Sequence, residues 1–66
     1  MDIVLTRHAR QQMELRDIDE SQIETAIKRG SKTRQTDGWL SVYCCIAVAY
    51  KITRRNEYKI KTVMIA

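Results

Sequence analysis

A chain of 66 residues makes one small domain, 1–66, whose core is too thin to enclose a deep cofactor pocket. With 44% hydrophobic and 30% charged residues, no proline and two glycines, the composition is that of a folded globular protein and excludes a loop-rich scaffold. The net charge of +4 is unevenly spread: residues 1–30 hold five basic and six acidic side chains, residues 31–66 seven and two.

Met1-Asp2-Ile3-Val4-Leu5 lacks a basic stretch followed by an apolar run, so it does not read as a signal peptide. Ile3-Val4-Leu5 predicts a short β-rich start, and Thr6 offers a capping hydroxyl. From Arg7 to Arg16 the pattern is helical. Leu5, Ala9 and Met13 recur every four residues, Gln12 and Arg16 lie near that side, and His8 lies at its edge. Asp17-Ile18 is short enough to demand a helical hairpin. Asp19 and Gln22 predict a capping box for the second helix, with Ile18 and Ile23 as a hydrophobic staple. Glu20 and Glu24 suit its positive end, and Lys28 and Arg29 its negative end. Gly30 fits the C′ position that ends it. Ile23, Ala26 and Ile27 form the stripe to be buried.

From Ser31 onward the period is that of strands. Residues 31–36 are polar and suit an exposed edge strand, Asp37-Gly38 is a turn signal, and Trp39 to Tyr43 is strand-like. Residues 32–43 are compatible with one bent strand or with a small hairpin. Cys45 to Ile52 predicts a central strand, Arg54-Arg55-Asn56-Glu57 a polar turn, and Tyr58 to Ile65 a last strand. The longest weakly polar run, Val42 to Tyr50, is far too short to span a bilayer, so no membrane partner is expected. The expected fold class is α+β: an N-terminal short strand and a helical hairpin packed on one face of a three- to four-stranded antiparallel sheet.

Alternation assigns faces to the last two strands. Ile46, Val48, Tyr50 and Ile52 share a face opposite Cys45, Ala47, Ala49 and Lys51. Tyr58, Ile60, Thr62 and Met64 share a face opposite Lys59, Lys61, Val63 and Ile65. The large apolar sets should pack under the helices. The other face then shows small residues ringed by lysines, with Arg54 and Arg55 at the turn. Lys51, Arg54, Arg55, Lys59 and Lys61 are therefore the candidate nucleic-acid-binding set, because neutralised phosphates release counterions. The same face suits a covering protein partner, or simply solvent.

Cys44 and Cys45 are adjacent, which disfavours an unstrained disulfide and lacks the spacing of a metal or redox site. They read as reduced thiols of a cytoplasmic protein, as small strand residues of which one is buried. No cofactor or metal site is predicted. The single histidine, His8, is of the type that changes charge near neutrality. With Tyr43, Tyr50, Tyr58 and the lysines it makes up the acid/base repertoire. A metal-free ribonuclease must deprotonate a 2′-hydroxyl, stabilise a pentacoordinate phosphate and protonate the leaving oxygen. His8, Arg16, Lys51, Lys61 and a tyrosine supply those chemistries if they converge. The bland alternative is that His8 only caps or packs at the helix start.

Leu5-Thr6-Arg7-His8-Ala9, Met13-Glu14-Leu15-Arg16-Asp17-Ile18 and Tyr58-Lys59-Ile60-Lys61-Thr62-Val63 resemble a widespread small domain-of-unknown-function family placed near the RelE/ParE-like toxin fold. The resemblance covers nearly the whole chain. It implies a helical hairpin on an antiparallel sheet, a cytoplasmic toxin-type protein of a toxin–antitoxin pair acting on RNA or the ribosome, and a cognate antitoxin as partner. His8, Arg16 and Thr62 are the matching positions, expected as a polar cluster between the first helix and the last strand. His8, Arg16 and Lys61 are the candidate catalytic residues. Such sequences often carry Gly after Arg16, where Asp17 stands here. RelE-like nucleases often place catalytic residues in a tail beyond the last strand, where this sequence has only Ala66. The alternative expectation is a non-catalytic module, such as a phage or mobile-element inhibitor, that occupies a host nucleoprotein complex. A third is a homodimer formed through a sheet edge, residues 31–36 or 58–65.

Overall fold

Seven elements run through residues 1–66 of the computed structural model: β1 (Asp2–Leu5), α1 (Arg7–Arg16), α2 (Glu20–Arg29), β2 (Ser31–Gln35), β3 (Gly38–Tyr43), β4 (Ile46–Ile52) and β5 (Glu57–Ile65). The class is α+β, with both helices on one side of the sheet. The sheet has five strands in the order β1-β5-β4-β3-β2 and is mixed, where three or four antiparallel strands were expected. The addition is β1, which runs parallel to β5 from Asp2↔Glu57 to Leu5↔Ile60. No turn links the two strands, so local sequence carries no sign of this pairing. Residues 32–43 resolve as a hairpin: β2 meets β3 across Thr36-Asp37, and Gly38 takes the left-handed φ of 122°.

The helix ends follow their side chains. Thr6 Oγ1 accepts from the Ala9 N–H at 3.1 Å, which caps α1, and donates to the Ile60 carbonyl at 2.8 Å, which pins that cap to β5. Asp17 closes α1 in the left-handed region, φ 54° and ψ 48°, as a residue with a short polar side chain can. The Asp19–Gln22 capping box is complete in both directions, at 2.8 and 2.9 Å. Ile18 and Ile23 on either side of it are both buried.

Gly30 departs from expectation. Its φ is −75°, extended backbone that any residue adopts, so it is not a left-handed C′ glycine. The missing side chain is what matters. A Cβ there would stand 2.6 Å from Ser41 Oγ and 2.7 Å from the Val42 carbonyl. Ser41, fully buried, donates to the Ala26 carbonyl at 2.5 Å, and the Gly30 N–H reaches the same oxygen at 2.8 Å. The end of α2 is thereby seated directly on β3.

The core joins Ala9 of α1, Ile18, and Ile23, Ala26 and Ile27 of α2 to Ile46, Val48, Tyr50, Ile60 and Val63 of the central strands. Strict alternation fails in β5. Ile60 pairs with Tyr50 and Thr62 pairs with Ala49, so Lys61 is an extra residue in a β-bulge. Beyond it the faces exchange: Val63 joins Tyr58 and Ile60 under the helices, with exposed Ile65 on the same side, while Thr62 and Met64 turn to the uncovered side. The cysteines are corrected as well. Both are exposed and form the β3–β4 turn, with Cys44 left-handed at φ 53°.

Candidate nucleic-acid interface

The β4–β5 register sets Lys51 directly opposite Lys59, on the side of the sheet that carries no helix. Like charges facing each other across two strands, about 5 Å apart at Cβ, repel and destabilise the pair. Lys61, two residues on from Lys59, lies on the same side, and its ammonium reaches across β4 to Asp37 in the β2–β3 turn. That contact is an ion pair to Oδ2 at 3.3 Å and a hydrogen bond to the Asp37 carbonyl oxygen. The only other ion pair in the chain is Glu24–Lys28 on α2, so Lys51 and Lys59 have no carboxylate partner.

Arg54 and Arg55 extend this charge from the β4–β5 turn. The Thr53 hydroxyl holds that turn, accepting from the Arg55 N–H at 3.3 Å and the Glu57 N–H at 3.2 Å, and Asn56 takes a left-handed φ of 59°. Arg34 and Trp39 also border this end of the sheet, together with Asp37, Lys51, Arg54 and Lys59. The guanidinium of Arg34 lies 5.1 Å from the Trp39 ring centre, a cation–π contact. Sequence reasoning missed Arg34, Asp37 and Trp39 as parts of this surface. The Asp37-Gly38 turn signal located the turn, but only the register brings it beside Lys51 and Lys61.

The hydrogen bond from Lys61, and then the charges of Lys51, Lys61 and Lys59, hold the Asp37 carboxyl below its ordinary range. A carboxylate favoured by the folded state lends stability above its ordinary titration range and withdraws it as pH falls through the lowered one. The melting temperature is thus expected to drop as pH falls through and below the ordinary carboxylate range, and Asp37→Asn to remove part of that drop. Equal acid slopes for the two proteins would sever the link to this contact. The group is fully exposed, so the effect is modest.

The three candidate catalytic residues are not brought together. His8 is exposed in the first turn of α1, with no hydrogen bond to Arg16 or Lys61. Arg16 lies two turns further, about 12 Å along the axis, and its Nε donates to Gln12 Oε1 at 3.1 Å. Thr62 faces the uncovered side, whereas α1 packs on the covered side, so His8, Arg16 and Thr62 form no cluster. The bulge at Lys61 is the reason. The five basic residues of the predicted binding set, in contrast, all sit at one end of the uncovered face and its turn.

The family model described as Domain of unknown function (DUF4258) matches residues 5–65, from the end of β1 to the last residue of β5. The chain belongs to this family. The DUF4258 match takes in both helices, β2 to β5, and every residue of the basic set. No curated protein and no solved structure matches the chain. No helix of this DUF4258 domain is long and apolar enough to cross a membrane.

Proposed function

We propose that this protein binds the phosphate backbone of RNA through Lys51, Lys59, Lys61, Arg54 and Arg55, as a cytoplasmic RelE-like toxin-type protein that acts on RNA or the translation machinery. The observation that carries the reading is the cross-strand pair Lys51↔Lys59, without a direct ion pair and flanked by Lys61 and the turn arginines. Repulsion stored in such a pair is relieved when a polyanion lies over it.

The separation of His8 and Arg16 from this cluster favours occupation over cleavage. It supports the second reading, a non-catalytic module that blocks a host nucleoprotein complex. A nuclease needs a general base within reach of the 2′-hydroxyl, and the cluster supplies only cations.

Single-stranded RNA is expected to bind with an affinity that falls steeply with salt. Replacing both Lys51 and Lys59 by Ala should lower the slope of log K against log salt by about 1.4, since each phosphate contact contributes about 0.7. A slope near zero for the parent protein, or one unchanged in the double variant, would overturn the interface. An RNA cleavage assay with His8→Ala and Lys61→Ala separates the two modes. Cleavage lost in both variants would restore the ribonuclease, and no cleavage by the parent protein would leave binding alone.

A further inference from the structure

We propose that a hollow on the covered side of the sheet, next to the basic cluster, receives one unstacked base of the bound RNA; the inference rests on the RNA-binding reading above. The hollow is walled chiefly by Trp39, Tyr50, Ile52 and Tyr58, with Lys28 and Lys32 as its charged residues. It shares Trp39 and Ile52 with the border of the lysine cluster. A strand lying on Lys51 and Lys59 therefore meets this hollow as it rounds the turn end of the sheet.

Tyr50 identifies the hollow as a binding site. The residue is 2% exposed, yet its hydroxyl makes no hydrogen bond within the protein. Every sealed polar side-chain atom in the chain does have a partner. The Tyr50 hydroxyl is therefore not sealed, and the hollow that the residue walls is its outlet. A phenol open to the hollow has no protein partner to give up and can donate to a ligand there in place of water. Burial raises its pKa, so it remains a donor across the physiological range.

The chemistry of the walls selects the ligand. Tyr50 and Tyr58 stand with ring centres 5.6 Å apart and planes tilted by 41°. The Tyr50 ring is covered, and half-buried Tyr58 and Trp39 supply the aromatic surface for a flat guest. Tyr50 supplies one donor for a base carbonyl or ring nitrogen. Lys32 bonds only the Gly30 carbonyl, at 3.4 Å, and so is free of any carboxylate and placed for a phosphate. A flat apolar ring with an acceptor edge and an attached anion is a nucleotide. Unstacked bases of single strands are held by aromatic side chains in this way.

Trp39 is the only tryptophan, so its fluorescence reports on this end of the sheet alone. A short single-stranded RNA and inorganic polyphosphate of equal charge are titrated against the protein and against Tyr50→Phe and Tyr58→Leu. Both polyanions should compete for the lysines, and RNA should change Trp39 emission well beyond the change that polyphosphate produces at the shared border. Tyr58→Leu is expected to weaken RNA about tenfold and Tyr50→Phe about threefold, with polyphosphate affinity unchanged in both. Tyr50→Phe keeps the ring and its packing, so it decides the matter if Tyr58→Leu melts early. RNA that changes Trp39 emission no more than polyphosphate does, and binds equally well to both variants, overturns the base pocket and leaves the phosphate surface standing. If neither polyanion binds, both readings fall.

Discussion

Gly30→Ala is expected to remove about 3 kcal/mol of stability, about a third or more of the total. The added methyl would stand 2.6 Å from Ser41 Oγ and 2.7 Å from the Val42 carbonyl, well inside contact distance. One of those neighbours is backbone, and the other is a buried hydroxyl already committed to Ala26. Relief requires the end of α2 to lift off β3, which would break the Ser41 bond to the Ala26 carbonyl. Overpacking of this kind costs about 3 kcal/mol. A domain of this length holds only roughly 3–10 kcal/mol in all. Urea unfolding followed by circular dichroism measures the loss. A midpoint unchanged from the parent would show that the helix end adjusts freely.

Ile60→Ala should be of similar severity, about 3–4 kcal/mol, for a different reason. Ile60 is fully buried and pairs with Leu5 of β1 on one side and Tyr50 of β4 on the other. Its carbonyl also receives the Thr6 hydroxyl that caps α1. Truncation leaves a cavity where two strands and the start of a helix meet. The same urea experiment should give a lower midpoint, and a loss below about 1 kcal/mol would mean that the site collapses around the gap.

The helices were legible because their signals are local. Thr6, the Asp19–Gln22 box and the staple isoleucines each act within five residues, and α1 and α2 have the predicted limits. The sheet was legible only strand by strand. A bulge needs one extra residue opposite a partner strand, and no residue type marks it. Lys61 looks like any other lysine in an alternating run, and with that slip unseen Thr62 and Val63 were placed on each other's faces. Gly30 was identified by position but misread in cause, since crowding from Ser41 and Val42 comes from a strand that begins eight residues later. The basic set survived the error because Lys51, Lys59 and Lys61 end on one side with or without the bulge. The aromatic hollow was out of reach. Trp39, Tyr50 and Tyr58 come from three strands and meet only through the registers Trp39↔Tyr50 and Ile52↔Tyr58.

The place of β5 in the sheet also sets an order of events during synthesis. Lying between β1 and β4, it is the strand to which both β1 and α1 attach. Residues 1–16 thus have no sheet partner until residues 57–65 leave the ribosome. β2, β3 and β4 can pair as each emerges, because turns join them in sequence. The N-terminal strand and helix must wait, and the chain closes on itself only after translation has passed Ile65.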